Sequence, residues 1–137
     1  MKTTTYKEFK LKYNLSKNLL FENSNWIVSL RPEQKTPFSM IISIKYDIYR
    51  ISDLSSTQIK ELQQCYKFIE SILFEKLDAT KMNYLCLMMI DSIVHFHVFP
   101  RYENDFKYKD IILSDCYYPR PVDLTDSFSI KTNISMK

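Results

Sequence analysis

Hydrophobic and polar positions along this 137-residue chain fall into short blocks with two different periods. Residues 19–22 and 26–31 are apolar runs on either side of Asn23-Ser24-Asn25. Asparagine tolerates the left-handed backbone of a tight turn, so the pair predicts a β-hairpin. A β-branched block at 38–45, bounded by Pro37 and Asp47, predicts a third strand. Ser55 with Gln58 three residues on has the form of a capping box. Ile59, Leu62, Tyr66, Ile69 and Leu73 then recur at spacings of three and four, which predicts one long amphipathic helix over 57–77. The near-continuous apolar run at 83–90 predicts a central strand covered on both faces. Asp91-Ser92 reads as a tight connection into another strand at 93–99. Strand, strand, strand, helix, strand, strand is the order of an α+β domain, an antiparallel sheet of about five strands with one long helix on one face. A single domain is expected over 1–124. Residues 125–137 carry no periodicity and are expected to be an irregular tail, a candidate for mobility.

The last predicted strand holds both histidines of the protein, His95 and His97. Residues i and i+2 of a strand share a face, so both imidazoles point one way while Val94, Phe96 and Val98 point into a core. Pro100 cannot donate to a ladder and should end the strand, leaving Arg101 at its rim. Two imidazoles beside a guanidinium form a candidate phosphate site. An unprotonated ring nitrogen can attack phosphorus if a carbonyl or carboxylate holds the proton on the other nitrogen. A second histidine on the same face can donate to a non-bridging oxygen, and Arg101 can neutralise charge.

Composition narrows the classes. Apolar residues make up 45% and aromatics 15% of the chain, so it is a globular rather than a disordered sequence. The formal charge is only +3 and the basic residues are scattered, which argues against a nucleic-acid partner. No apolar run reaches the length of a membrane span, and no membrane association is expected. Three widely separated cysteines (Cys65, Cys86, Cys116) are most simply reduced thiols of a cytoplasmic protein. The chain contains no glycine, which rules out a P-loop and a G-x-G-x-x-G turn, so phosphate must be held by side chains or by exposed amides.

The stretch 94–101 resembles the signature of the histidine triad superfamily of nucleotide-binding hydrolases and transferases. That signature is His-φ-His-φ-His-φ-φ with φ apolar, often followed by Pro-Arg. Leu30-Arg31-Pro32 after Trp26, the capped helix after Ser55, Asn83-Tyr84 leading into Leu87-Met88-Met89, and Tyr118-Pro119 resemble a bacterial branch of that family, over roughly residues 18–124. The resemblance implies a nucleotide substrate, a homodimer and no cofactor. It makes His95 the nucleophile that takes up a nucleoside monophosphate as a nucleotidyl-histidine, with His97 polarising the α-phosphate and Arg31 near the ribose. The expected reaction is hydrolysis or nucleotidyl transfer on a phosphoramidate, a dinucleoside polyphosphate or a nucleotide conjugate. The chain departs from the signature at Ile93, which stands where the first histidine is usual; its carbonyl can still hold the nucleophile's other ring nitrogen. Pro37-Phe38-Ser39 replaces Pro-Gly-His, and Asp91-Ser92 replaces a longer loop.

Blander roles compete at each position. His95 and His97 could be half-buried strand residues bonded to backbone, or two ligands of a zinc site, although no third ligand lies nearby in sequence. Arg101 could be a solvated rim charge rather than a phosphate ligand, Asp91 a turn cap rather than a general base, Asn83 a local turn residue rather than a substrate contact at the start of its strand, and Ser92 a plain turn serine rather than a phosphate donor. Cys65, Cys86, Met82, Met88 and Met89 read as packing. With the first histidine lost, the alternative function is a nucleotide-binding module whose chemistry has decayed.

Overall fold

The computed structural model describes residues 3–136. In chain order the elements are α1 (Tyr6–Lys12), β1 (Leu19–Glu22), β2 (Trp26–Leu30), β3 (Met40–Ile44), a 3-10 turn (Ile51–Asp53), α2 (Ser56–Leu73), β4 (Lys81–Leu85), β5 (His95–Arg101), β6 (Phe106–Tyr108) and β7 (Ile111–Leu113). Strands β1 to β5 form one antiparallel sheet in the order β1-β2-β3-β5-β4, and β6 and β7 form a separate hairpin. The α+β class and the five-stranded sheet are as expected.

Local chemistry explains these elements. Asn23 Oδ1 accepts from the backbone N–H of Asn25 (3.2 Å) and Trp26 (2.9 Å), closing the β1-β2 turn without glycine. The capping box of α2 is complete: Gln58 N–H donates to Ser55 Oγ and Ser55 N–H to Gln58 Oε1, satisfying two otherwise orphaned donors. Leu62, Cys65, Ile69 and Leu73 are the buried stripe of α2. Trp26 Nε1 donates to Gln58 O and Tyr84 Oη to Glu70 Oε2, joining helix to sheet at both ends. Phe96 stacks edge-on to Tyr66, so the even-numbered residues of β5 face α2. The odd-numbered residues face the opposite side, in register with Ile41 and Ser43 of β3 and with Asn83 and Leu85 of β4. There α1 lies against the sheet, with Phe9 wholly buried and Leu15 O accepting from Ser29 Oγ.

Several expectations are corrected. The helix ends at Leu73, not 77, because the apolar period stops there; Phe74 is already 42% exposed and Asp78 turns the chain at φ 57°. The run 83–90 is not a central strand. Only Lys81–Leu85 is paired, at the sheet edge, and Met88 at φ 51° takes the chain out of the ladder. Continuous apolarity alone does not distinguish a buried strand from an apolar loop. Met89, read as packing, is 75% exposed. The connection into β5 therefore spans 86–94 rather than Asp91-Ser92 alone. Pro100 does not end the histidine strand. Its ladder with β3 stops at Val98, so Pro100 pairs only with Met82 of β4, on a locally one-sided strand where proline is tolerated. Helix α1 and the β6-β7 hairpin were not anticipated.

Residues 114–136 hold no helix or strand, yet they are fastened to the body at both ends. Asp115, with a fully buried side chain, accepts from Arg101 Nε at 2.7 Å. Further on, Lys35 Nζ, 1% exposed, donates to Asp126 Oδ1 at 2.6 Å, and Ile130 N–H donates to Gln34 O.

Candidate active site

His95 sits at the start of β5 and is 3% exposed. Its Nδ1 lies 2.7 Å from the carbonyl oxygen of Ile93. A carbonyl can only accept, so Nδ1 carries the proton and Nε2 is left with a free lone pair. The Phe9 ring of α1 packs 4.7 Å from the imidazole, and the His97 ring stands edge-on at 5.0 Å. Burial holds His95 below the ordinary histidine pKa, against the opposing effect of the Ile93 hydrogen bond. His97 is pushed down to about 3, chiefly by burial and then by the nearby Arg31 guanidinium. Both rings are therefore neutral near pH 7. His97 Nδ1 is buried with no hydrogen-bond partner.

Arg31 follows β2 directly, where its N–H donates to Ser39 O. Its guanidinium lies 5.3 Å over the Phe99 ring, on the same face as His97. It donates to Glu33 O at a long 3.3 Å, while its Nε is buried without a partner. Ser92 Oγ is likewise buried and unpartnered. Buried polar atoms are rarely left unpaired, and such atoms mark places where a ligand can supply the missing bonds.

Arg31, His95 and His97 share a cavity of about 210 Å³ lined also by Tyr13, the loop 87–91 and Leu124, with Ser92 just outside that lining. Asp91 anchors the loop: it accepts from Lys12 Nζ at 2.8 and 3.1 Å and from Tyr13 Oη and Thr4 Oγ1 at 3.3 Å. Asp91 is thus a clamp between α1 and the loop as well as a turn residue. Met88 holds the loop in a left-handed conformation that costs a non-glycine residue about 1–2 kcal/mol. Strain of that kind tends to collect at functional sites.

The remaining sequence candidates lie apart. Arg101 is on the histidine face but beyond Phe99, and is 4% exposed. Nε and Nη2 bond Asp115, Nη1 donates to Asn83 Oδ1 at 3.0 Å, and Nη2 donates to Arg120 O at 2.6 Å. Arg101 and Asn83 line a larger cavity of about 580 Å³, between β4 and residues 118–124, which meets the histidine cavity at Leu124. Tyr13, Lys12 and Leu124 were not singled out from sequence. Thr5 with Glu8 was the missed signal: Glu8 N–H donates to Thr5 Oγ1 at the start of α1. Among the described residues, no group of three or more histidine, cysteine or acidic side chains is placed to hold a metal ion. Nor is any helix among them long and apolar enough to cross a membrane.

No protein-family model matches the chain. No curated protein matches it either. Solved structures do. A histidine triad protein from Bradyrhizobium japonicum superposes with a TM-score of 0.64 at 17% identity, covering 88% of this chain and 83% of that one. One from Marinobacter aquaeolei gives 0.63 at 20% identity, over 85% and 79%. The NitFhit protein of C. elegans gives 0.57 at 19% identity over 65% of this chain, which spans only 23% of NitFhit's length. The chain has the fold of the histidine triad proteins.

Proposed function

We propose that this protein is a nucleotide hydrolase or nucleotidyl transferase that works through a covalent intermediate on His95. The observation that carries the reading is the 2.7 Å bond from His95 Nδ1 to the Ile93 carbonyl. It leaves Nε2 unprotonated, and the cavity His95 lines is shared with His97 and Arg31, whose Nδ1 and Nε are unpartnered. In the first half-reaction Nε2 attacks the α-phosphorus and the bond from phosphorus to the leaving group breaks. The leaving group departs with that electron pair and takes a proton from water. In the second, water or another acceptor attacks phosphorus, the N–P bond breaks, and its electrons return to Nε2 as the acceptor's proton is lost to solvent. His97, kept neutral, donates one N–H to a non-bridging oxygen, and Arg31 balances its charge. Ser92 Oγ is a further donor within the same connection. Loss of one preorganised donor of this type costs on the order of 10²–10³ in rate.

Arg101 and Asn83, bonded to each other and to the C-terminal segment, hold the wall of the neighbouring cavity. The resemblance to histidine triad proteins also carries the proposal of a cytoplasmic homodimer that binds a nucleotide, without a nucleic-acid partner. Intact-mass analysis after brief incubation with nucleoside phosphoramidates tests the central claim. The expected result is a nucleotidyl adduct in the wild type and none in His95→Ala. An adduct that survives in His95→Ala overturns it. Nucleotide binding without adduct or turnover would instead assign a binding module.

A further inference from the structure

A second cavity opens beside Arg31, outside the one that holds the histidines. It measures about 280 Å³ and lies between the end of β2 and residues 130–134 of the C-terminal segment. Arg31 is the lining residue common to both cavities. Its chemistry differs from that around His95. Arg31 and Lys131 bring two positive charges from distant parts of the chain, and Asn18, Thr132 and Asn133 bring amide and hydroxyl donors. Among the described residues, no carboxylate lines the space. Glu33, two residues from Arg31, is turned to Lys35, whose Nζ lies 3.3 Å from its carboxylate.

The walls are built from fixed backbone. Gln34 Nε2 donates to the carbonyls of Arg31 and Ser39, and its Oε1 accepts from Ser39 N–H, so one side chain holds the turn after β2. Ile130 N–H donates to Gln34 O at 2.7 Å, which brings Lys131 to the turn that carries Arg31. On the other flank Leu30 N–H donates to Asn18 O.

Both cations are short of partners. Arg31 Nε is buried and unbonded, and Nη1 reaches Glu33 O only at 3.3 Å. Burial, the largest influence, lowers the Arg31 pKa, and Glu33 and Tyr13 oppose it. Lys131 Nζ donates to Ser129 Oγ at a long 3.3 Å, and among the described residues it meets no carboxylate. A guanidinium and an ammonium without carboxylate partners, ringed by neutral donors, have the chemistry of a phosphate site. A ligand that fills both cavities carries two separated anionic groups, with an uncharged spacer passing the guanidinium. A polyphosphate keeps its charges contiguous. A nucleoside phosphorylated at C5′ and again at C2′ or C3′ has the required form, because the ribose separates its phosphates.

We infer that the cavity between β2 and residues 130–134 is a subsite for a second phosphate carried on the ribose, so that the substrates are derivatives of nucleoside 2′,5′- or 3′,5′-bisphosphates. The inference rests on the nucleotidyl-transfer reading above and names its substrate class. The 5′-phosphate goes to His95, and the sugar phosphate to Arg31 and Lys131.

The test is calorimetry at fixed ionic strength on wild type, Lys131→Glu and Lys131→Arg. The probes are adenosine and guanosine 5′-monophosphates, 5′-diphosphates, and 2′,5′- and 3′,5′-bisphosphates. In wild type a bisphosphate should bind about tenfold or more tighter than both the 5′-monophosphate and the equally phosphorylated 5′-diphosphate. Lys131→Glu should erase that preference and Lys131→Arg should keep it. A 5′-diphosphate that binds as tightly as the bisphosphates, a wild type without preference, or a preference that survives Lys131→Glu overturns the inference. In each of those cases a His95 adduct with nucleoside 5′-phosphoramidates still upholds the transfer chemistry. A bisphosphate preference without any adduct keeps the subsite and rejects the transfer reading. Failure of every nucleotide to bind overturns both.

Discussion

Because the proton on His95 is held by a main-chain oxygen, the side chain at position 93 can change without disturbing it. The Ile93 carbonyl makes that 2.7 Å bond while its side chain is wholly buried in the core. The tautomer that the proposed mechanism needs at His95 thus does not depend on which side chain position 93 carries. The environment of His95 also sets its pH response. Burial lowers the pKa of His95 from 6.5, and that of His97 to about 3, so the neutral forms persist into mild acid. In the proposed reaction, protonation of Nε2 abolishes attack, so kcat/KM should fall only below the ordinary histidine value. A pH–rate profile should place its acid limb below 6.5. A limb at or above 6.5 would mean that His95 is solvated in solution, contrary to the packing of Phe9 against it.

Between elements, the weight falls on one carboxylate. Asp91 joins α1 to the loop over the histidines. Lys12 is half-exposed, so that ion pair adds little to global stability. Asp91→Ala should therefore lower the unfolding free energy by only about 1 kcal/mol. It should sharply raise hydrogen exchange of amides 86–92 while leaving β2 and β3 protected, as mass spectrometry can read. Uniform exchange across the chain would refute that local role. The elements that could be read in sequence are those with their own local chemistry: the Asn23 turn, the Ser55-Gln58 box, and the alternation that sets His95 and His97 on one face. The loop could not be read, because Leu87 to Ile90 are as apolar as a strand. Only the left-handed Met88, a backbone property, turns them outward. Helix α1 carried a cap signal, but its seven residues offer too short an apolar period to stand out.

For the whole molecule, long-range ion pairs decide where the C-terminal segment runs. The closing Pro-Arg of the motif makes Arg101 a phosphate candidate in sequence, while nothing local points to its partner Asp115, fourteen residues on. Asp115 also accepts from the N–H groups of Tyr102, Tyr117 and Tyr118, so one side chain organises the departure of the segment from the sheet. Asp115→Ala would strand a buried guanidinium, which typically costs about 3–5 kcal/mol. Urea denaturation should show a loss of that size. A loss under about 1 kcal/mol would mean that water reaches Arg101 and that the pair is not sealed.

The left-handed turns have a consequence for the denatured chain. Asn14, Phe38, Asp78, Met88, Lys109 and Asp110 all hold φ between 46° and 66°, in a sequence with no glycine to relieve them. Each residue with a Cβ adds strain to the native state there, yet it also narrows the range of shapes open to the unfolded polypeptide. Less disorder has to be surrendered when this chain folds than in a glycine-rich chain of equal length. The same side chains that strain its corners thereby stiffen the state with which the native fold competes.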